Sequence, residues 1–279
     1  MTETQPQTVD SRQAQAWNGP VGAHWAAHHE RYDAMLSGVD DALFEAAAIA
    51  PGARVLDVGC GAGATTRIAA RLAAHGHAVG VDISAPLLDR ARANTAAEGI
   101  TNAAYERADA QLHRFPTAGY DVVISRGGVM FFADHAAAFR NLGRALRPGG
   151  RLAFICPQPV TPDAEEARAF GLLSKLLGQD EPDPDTVAAH VAMASLSDPD
   201  RIREVLQGYE DIDVTPVAVE TRWGQDAADA VGFILSRTPG HTVSAATRAA
   251  LEDTLRPYET DRGVRLKAGV WCVTATRPS

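Results

Sequence analysis

Residues 54–64 read RVLDVGCGAGA. Apolar and β-branched residues run into an acid, Asp57, and then into a glycine-rich turn, after which the periodicity becomes helical. A strand ending in Gly59, Gly61 and Gly63 lets the backbone bend sharply and lets a ligand approach where a Cβ would collide. The helix expected over residues 64–75 would aim its free N–H groups back at that ligand. The stretch predicts a strand, a bare turn and a helix built around a nucleotide-like molecule.

Outward from this turn, strand and helix patterns alternate. Strands are expected at residues 53–58, 78–81, 104–107, 120–125 and 152–156, and helices at 64–75, 86–98 and 134–146. Two further strands are expected near the end, at 212–219 and 270–276, the first interrupted by Pro216 and therefore at an edge or a bulge. The pattern predicts an α/β fold: a Rossmann-like, seven-stranded, mostly parallel sheet with helices on both faces.

The flanks add helical lids. Residues 1–10 read as a frayed end and 11–17 as a short mixed stretch, before Asn18-Gly19-Pro20 punctuates. A helix over 21–32 would place Trp25, His29 and Tyr32 on one face and His24, His28 and Arg31 on the next. An Ala-rich helix at 40–50 stops at Pro51-Gly52. The expected organisation is a helical lid over 1–52, a ligand-binding core over 53–156 and a helical substrate cover over 157–197, with short helices at 167–177 and 187–195. Residues 198–279 would complete the sheet, starting with a helix at 201–207 and carrying a second helical insertion at about 227–262.

Composition narrows the partners. Asp and Glu number 35 against 26 Lys and Arg, a formal charge of −9, and no basic block occurs, which argues against a nucleic-acid substrate and leaves a small molecule. Cys60, Cys156 and Cys272 lie far apart in or beside apolar runs, as buried thiols of a reducing compartment do. The first ten residues, MTETQPQTVD, lack a secretory pattern and no uncharged stretch is long enough to span a bilayer, so a cytoplasmic protein without membrane attachment is expected. A homodimer is compatible with these features. His24 and His28 have metal-ligand spacing, but no Glu follows the first and no third ligand is evident, so no metal is expected.

Asp82 closes the segment VGVDIS about twenty residues past the glycine turn, where a carboxylate can accept ribose hydroxyls; Ser84 is the better helix cap. Gly59, Gly61 and Ala64 also satisfy a dinucleotide fingerprint, so an NAD(P) oxidoreductase shares these features. Asp57, two residues before the first glycine, and the tighter spacing through Gly63 fit S-adenosylmethionine (SAM) better. Next come Arg107-Ala108-Asp109-Ala110, then YDVVISR at 120–126 and RALRPGGRL at 144–152.

With these four ordered motifs, residues 54–156 resemble the class I SAM-dependent methyltransferases, and most closely the UbiE-like group of ubiquinone and menaquinone type. The segments AWNGPVGAHWAAHHERYDAML, SRGGVMFFAD and GVRLKAGVWCVTATRP resemble a bacterial branch of that group acting on small, often secondary, metabolites. The resemblance implies SAM as cofactor and S-adenosylhomocysteine (SAH) as product. It implies that Asp57, Gly59, Cys60, Gly61 and Gly63 face the methionine part, Asp82 and Ile83 the ribose and adenine, Asp109 and Ala110 the adenine edge, and Ser125 the sulfonium. Arg126 would face cofactor, substrate or an acid, and Trp25 would close over the cofactor.

Methyl transfer is an in-line displacement, for which positioning supplies most of the acceleration. A neutral acceptor also wants a base, for which His24 and His28 are the leading candidates, with His135, His190 and His241 behind. Val129, Met130, Phe131 and Phe132 offer an apolar wall for substrate, or core packing. A SAM-binding protein that transfers no methyl group is a further alternative.

Overall fold

The computed structural model describes residues 12–178, 184–237 and 243–279; the expected frayed end at 1–10 and His241 lie outside them. In order, the elements are α1 (Arg12–Asn18), α2 (Pro20–Ala27), α3 (His29–Leu36), α4 (Asp40–Ala47), β1 (Arg54–Val58), α5 (Ala64–Leu72), β2 (His77–Asp82), α6 (Ala85–Ala97), β3 (Ala103–Arg107), β4 (Tyr120–Arg126), α7 (His135–Ala145) and β5 (Leu146–Pro157). There follow α8 (Glu165–Leu176), α9 (Pro184–Ala194), α10 (Pro199–Val205), β6 (Glu210–Gly224), α11 (Ala227–Ser236), α12 (Ala245–Leu255), β7 (Glu259–Thr260) and β8 (Gly263–Thr276).

The strands form one sheet in the order β3-β2-β1-β4-β5-β8-β6, with the two-residue β7 paired only to β8. Strands β1 to β5 pair in parallel, and β8 runs antiparallel to both β5 and β6. This is the expected Rossmann-like α/β sheet, and Pro216 sits on its edge strand β6. The order reverses at β1 and β4, so their carboxyl ends open a crevice there.

Alternate residues of the central strands feed two cores. Leu56 and Val123 pack with Phe139 and Leu142 of α7 on one face, and Val55 and Val122 pack with Leu43 of α4 and Ala69 of α5 on the other. A third core lies apart. There Tyr32 and Met35 of α3 meet Leu173 of α8, Phe233 of α11, Leu251 and Leu255 of α12, and Trp223, Val264 and Leu266 of the strands. The expected strands at 212–219 and 270–276 are both longer. β5 pairs only with residues 270–276 of β8, while β6 and β8 stay paired out to Gly224 and Val264, so a two-stranded ribbon carries the third core.

The helix expected over 21–32 is two helices. His28 has φ −112° and serves as C-cap of α2 and N-cap of α3, so the chain bends between His24 and Tyr32 and brings their side chains together. The stretch expected to be mixed at 11–17 is helical in its described part, α1. It crosses α2 so closely that a Cβ on Gly22 would fall 1.8 Å from the Trp17 carbonyl oxygen. Pro148-Gly149-Gly150, within the RALRPGGRL motif, lies in an irregularity inside β5: Tyr120 pairs with Leu146, but Val122 pairs with Arg151.

Ser84 caps α6, accepting from the Leu87 amide at 3.4 Å and donating to the Trp17 carbonyl at 2.6 Å. Ser84→Ala is expected to cost about 1–2 kcal/mol, by loss of a cap and of the tie to α1. Urea denaturation checks this; a loss under about 0.3 kcal/mol would mean that neither bond is held in solution.

Candidate active site

The glycine turn is shaped by backbone alone. Gly59, Gly61 and Gly63 have φ of +68°, +53° and +80°, left-handed values that strain any other residue. At Gly59 the reason is also steric, since a Cβ would meet the Gly128 Cα at 2.7 Å. At Gly61 a Cβ would meet nothing within 4 Å, and this residue borders open space. Gly63 is the N-cap of α5, and the turn is closed by amides of Gly59 and Cys60 donating to the Val81 carbonyl at 2.8 and 3.2 Å.

Beneath this turn, Asp57 is fully buried. Its Oδ2 accepts hydroxyl hydrogen bonds from Thr65 at 2.7 Å and Thr66 at 2.6 Å, both from the first turn of α5. Its Oδ1 has no partner among the described residues. Burial pushes the carboxyl up to about 6, against the two threonine hydroxyls and Arg126, which favour the ionised form. A buried carboxylate oxygen without a donor is costly, and a bound cation would satisfy it.

Asp82, at the end of β2, accepts from the Gly61 amide at 2.9 Å and the Ser84 amide at 2.8 Å, and its burial raises its pKa. It braces the glycine turn from the next strand. The Ile83 carbonyl takes hydrogen bonds from Asn18 at 3.0 Å and Arg107 at 3.2 Å, so α1 is tied to the β2 end.

An open cleft adjoins the turn. Its lining includes Gly59, Cys60, Gly61 and Thr65 on the floor, and Trp25, His29, Tyr32, Asp33, Leu36 and Arg126 on the sides. Trp25 and Tyr32 stack with ring centroids 3.6 Å apart and planes 6° apart. Arg126, at the end of β4, is tied to Asp33 at 2.8 Å and Asp40 at 2.9 Å, fastening α3 and α4 to the sheet. Burial alone would lower its pKa, but the two carboxylates hold it raised.

Asp57, Gly63, Asp82 and Ile83 do not line this cleft, and neither do several other expected site residues. The Ser125 hydroxyl is buried and stitches β4 to β1 through the Val58 carbonyl at 2.7 Å. Asp109 accepts from the Gln111 amide at 2.9 Å in the loop after β3, and Ala110 packs in the first core. Neither borders the cleft. Val129 is in that core, Met130 and Phe132 pack against it, and Phe131 meets the Trp17 ring edge at 5.7 Å.

His24 and His28 also lie off the cleft. Both His24 ring nitrogens are engaged, Nδ1 with the Tyr32 hydroxyl and Nε2 with Ser236 Oγ, each at 3.1 Å. Burial, then His28 and Arg237, lowers its pKa. His135 holds the Met130 carbonyl and the Ser195 hydroxyl, each at 3.3 Å. His29 lines the cleft with Trp25 and Tyr32, the face the sequence pattern gave it, whereas Asp33 and Leu36 are cleft residues that pattern did not reach, because the helix was expected to end at 32.

Comparison with known proteins agrees with this geometry. Residues 55–150 match the family model described as a methyltransferase domain. Nocamycin O-methyltransferase of Saccharothrix syringae is 34% identical over 148 residues, 52% of this chain and 52% of its own. The uncharacterized protein Mb1440c of Mycobacterium bovis is 40% identical over 121 residues, 43% of each chain. The chain thus spans about half the length of the curated relatives it matches. Phosphoethanolamine N-methyltransferase 2 of Haemonchus contortus, solved in complex with S-adenosyl-L-methionine, aligns with a TM-score of 0.60 at 18% identity, covering 99% of this chain and 62% of that one, a likeness of fold.

Proposed function

We propose that this chain, whose residues 55–150 form a methyltransferase domain, transfers a methyl group from SAM to a small-molecule acceptor. One observation carries the reading: the unpartnered Oδ1 of fully buried Asp57, beneath an open glycine turn. The ammonium of a methionine moiety would satisfy it. The pyrophosphate that a dinucleotide lays along such a turn is anionic and would be repelled by it, which speaks against an oxidoreductase.

In this reading Asp57, Gly59, Cys60, Gly61 and Gly63 hold the methionine part. Asp82 and Ile83 hold the ribose and adenine, and Asp109 and Ala110 border the adenine. Ser125 and Arg126 act by fixing the β4 end, and Trp25 closes the mouth with α1 to α3 as a lid. When bound, the cofactor supplies an electrophilic methyl group on a cationic sulfur. The chain's part is to hold the acceptor on the methyl axis and exclude water, which is worth up to about 7–11 kcal/mol. The ordered motifs support the UbiE-like, bacterial small-molecule group, and the relative bearing the name of an O-methyltransferase supports a natural-product acceptor.

The pH dependence of binding tests the carrying observation. Because the folded carboxyl sits near 6, above its value in an unfolded chain, the proton it holds stabilises the fold at low pH, and that contribution is lost as pH rises through 6. At pH 7 the ionised group costs about 3 kcal/mol, and a bound ammonium recovers part of it. SAM affinity is therefore expected to rise toward tenfold per pH unit below about 6 and to level off above, with proton release on binding below that point. Calorimetry from pH 5 to 7.5 in two buffers reads both; a flat affinity would remove Asp57 from the site. Release of SAH with a panel of hydroxyl and amine acceptors tests transfer itself.

A further inference from the structure

We infer that His29 is the general base of this site, taking the proton of a neutral hydroxyl acceptor through Nε2. The inference rests on the proposed function and deepens it. Among the described residues, His29 is the histidine that borders the cleft, which Trp25, Tyr32 and the glycine turn also line. Its Nδ1 faces the Ala26 carbonyl oxygen at 3.2 Å. A carbonyl only accepts, so Nδ1 carries the hydrogen, and the lone pair of the neutral ring is on Nε2. No residue described in the structure takes that lone pair. His24 differs on both counts: Ser236 Oγ donates to the Phe233 carbonyl at 2.7 Å and so accepts from His24 Nε2, leaving Nδ1 to accept from the Tyr32 hydroxyl.

The charges of the cleft select the acceptor. Arg126 is paired with two carboxylates, Asp33 in the cleft lining and Asp40 outside it, so its charge is already neutralised. An anionic acceptor such as a carboxylate or phosphate is disfavoured there. A neutral hydroxyl is not, and the stacked Trp25 and Tyr32 rings give it an aromatic surface, which suits a phenol or enol. Such a hydroxyl must lose its proton. As the acceptor oxygen forms its bond to the methyl carbon, its O–H proton passes to Nε2. The sulfur keeps the electron pair of the broken S–CH3 bond and becomes a neutral thioether. The positive charge ends on the imidazolium, which returns its proton to water when the methyl ether leaves.

The placement can be tested without knowing the acceptor. With 13C-histidine protein, the Cε1–H resonance of His29 is assigned by its absence from His29→Gln or by sequential correlation, and is titrated in the SAM complex and in the SAH complex. These ligands differ by a methyl group and the charge on sulfur. A sulfonium within a few ångströms of Nε2 opposes its protonation, so the His29 midpoint is expected to fall by about one pH unit or more from SAH to SAM. The resonances of His24, His28 and His135 should move far less. Tyr32, Asp33, Arg126 and Cys60 also face this cleft, and they are the same in both complexes, so the comparison isolates the sulfur charge. Nitrogen-15 shifts should report the Nδ1–H tautomer. Equal His29 midpoints with both ligands bound, or an Nε2–H tautomer, would overturn the inference. Failure of calorimetry to detect SAM or SAH binding would instead overturn the proposed function on which it rests.

Discussion

Asp57→Asn is expected to weaken SAM binding roughly 30-fold to a few thousand-fold at pH 7, the 2–5 kcal/mol typical of a buried charge pair losing one partner. The substitution keeps the shape of the side chain, and its carbonyl can still accept from Thr65 and Thr66. It places an amide N–H where Asp57 has its unpartnered Oδ1, so a donor would face the incoming ammonium. The fold should not suffer. The wild-type protein bears about 3 kcal/mol at pH 7 for ionising a carboxyl whose pKa is raised to about 6, and the amide removes that cost. Calorimetry and a urea melt on the same preparation separate the effects: affinity down with stability level or up. Unchanged affinity would show that nothing cationic lies at this oxygen.

Arg126→Ala is expected to destabilise the protein by about 3–5 kcal/mol, the cost of breaking a buried pair and stranding its partners. Here two carboxylates are stranded. Asp40 is the worse case, because burial already raises its pKa and Arg126 is what opposes the rise. Lowering the pH should shrink the deficit, since protonating Asp40, whose pKa burial raises, relieves its repulsion with Asp33 while Arg126 stays charged in the wild type. Denaturation of both proteins at pH 7.5 and 5 reads this. A loss below about 1 kcal/mol would mean that the triad is solvated like an ordinary surface pair. Since Asp33 and Leu36 line the cleft from α3, the variant should also bind cofactor more weakly.

The parts of the fold that sequence reading found are those with short-range periodicity. The strand RVLDV is short, β-branched and buried along most of its length, and the closely spaced glycines after it mark a sharp backbone turn. Ser84 was legible as a cap because the residue types that accept from a helix N-terminus are few. What escaped notice depended on long-range contacts. Residues 220–222 and 263–269 fell outside the expected strands although Val264 and Leu266 alternate with Arg265 and Lys267, and cross-strand pairing of Glu220 with Lys267 carries the ribbon through them. The bend at His28 has no Pro or Gly to announce it. It turned the expected basic face inward, so that His24 bonds Tyr32 and Ser236, and Arg31 pairs with Asp229 at 2.7 Å. The face expected to carry Trp25, His29 and Tyr32 does line the cleft.

Asp82 and Asp109 divide in the same way. The position of Asp82 at a strand end was readable from spacing, but that the Gly61 amide would take one of its oxygens was not. Asp109 closes a turn to Gln111 and does not line the cleft, so its expected role beside adenine rests on resemblance alone.

A buried carboxylate under a bare glycine turn is expected to select a cationic, sulfur-bearing cofactor over an anionic dinucleotide. Titrating the unmodified protein at pH 7.5 with SAM, with SAH and with NADH in parallel calorimetric experiments decides this. One-to-one binding of SAM and SAH at a shared site, with no heat from NADH, is the predicted result; NADH binding, or no binding of SAM, would contradict it.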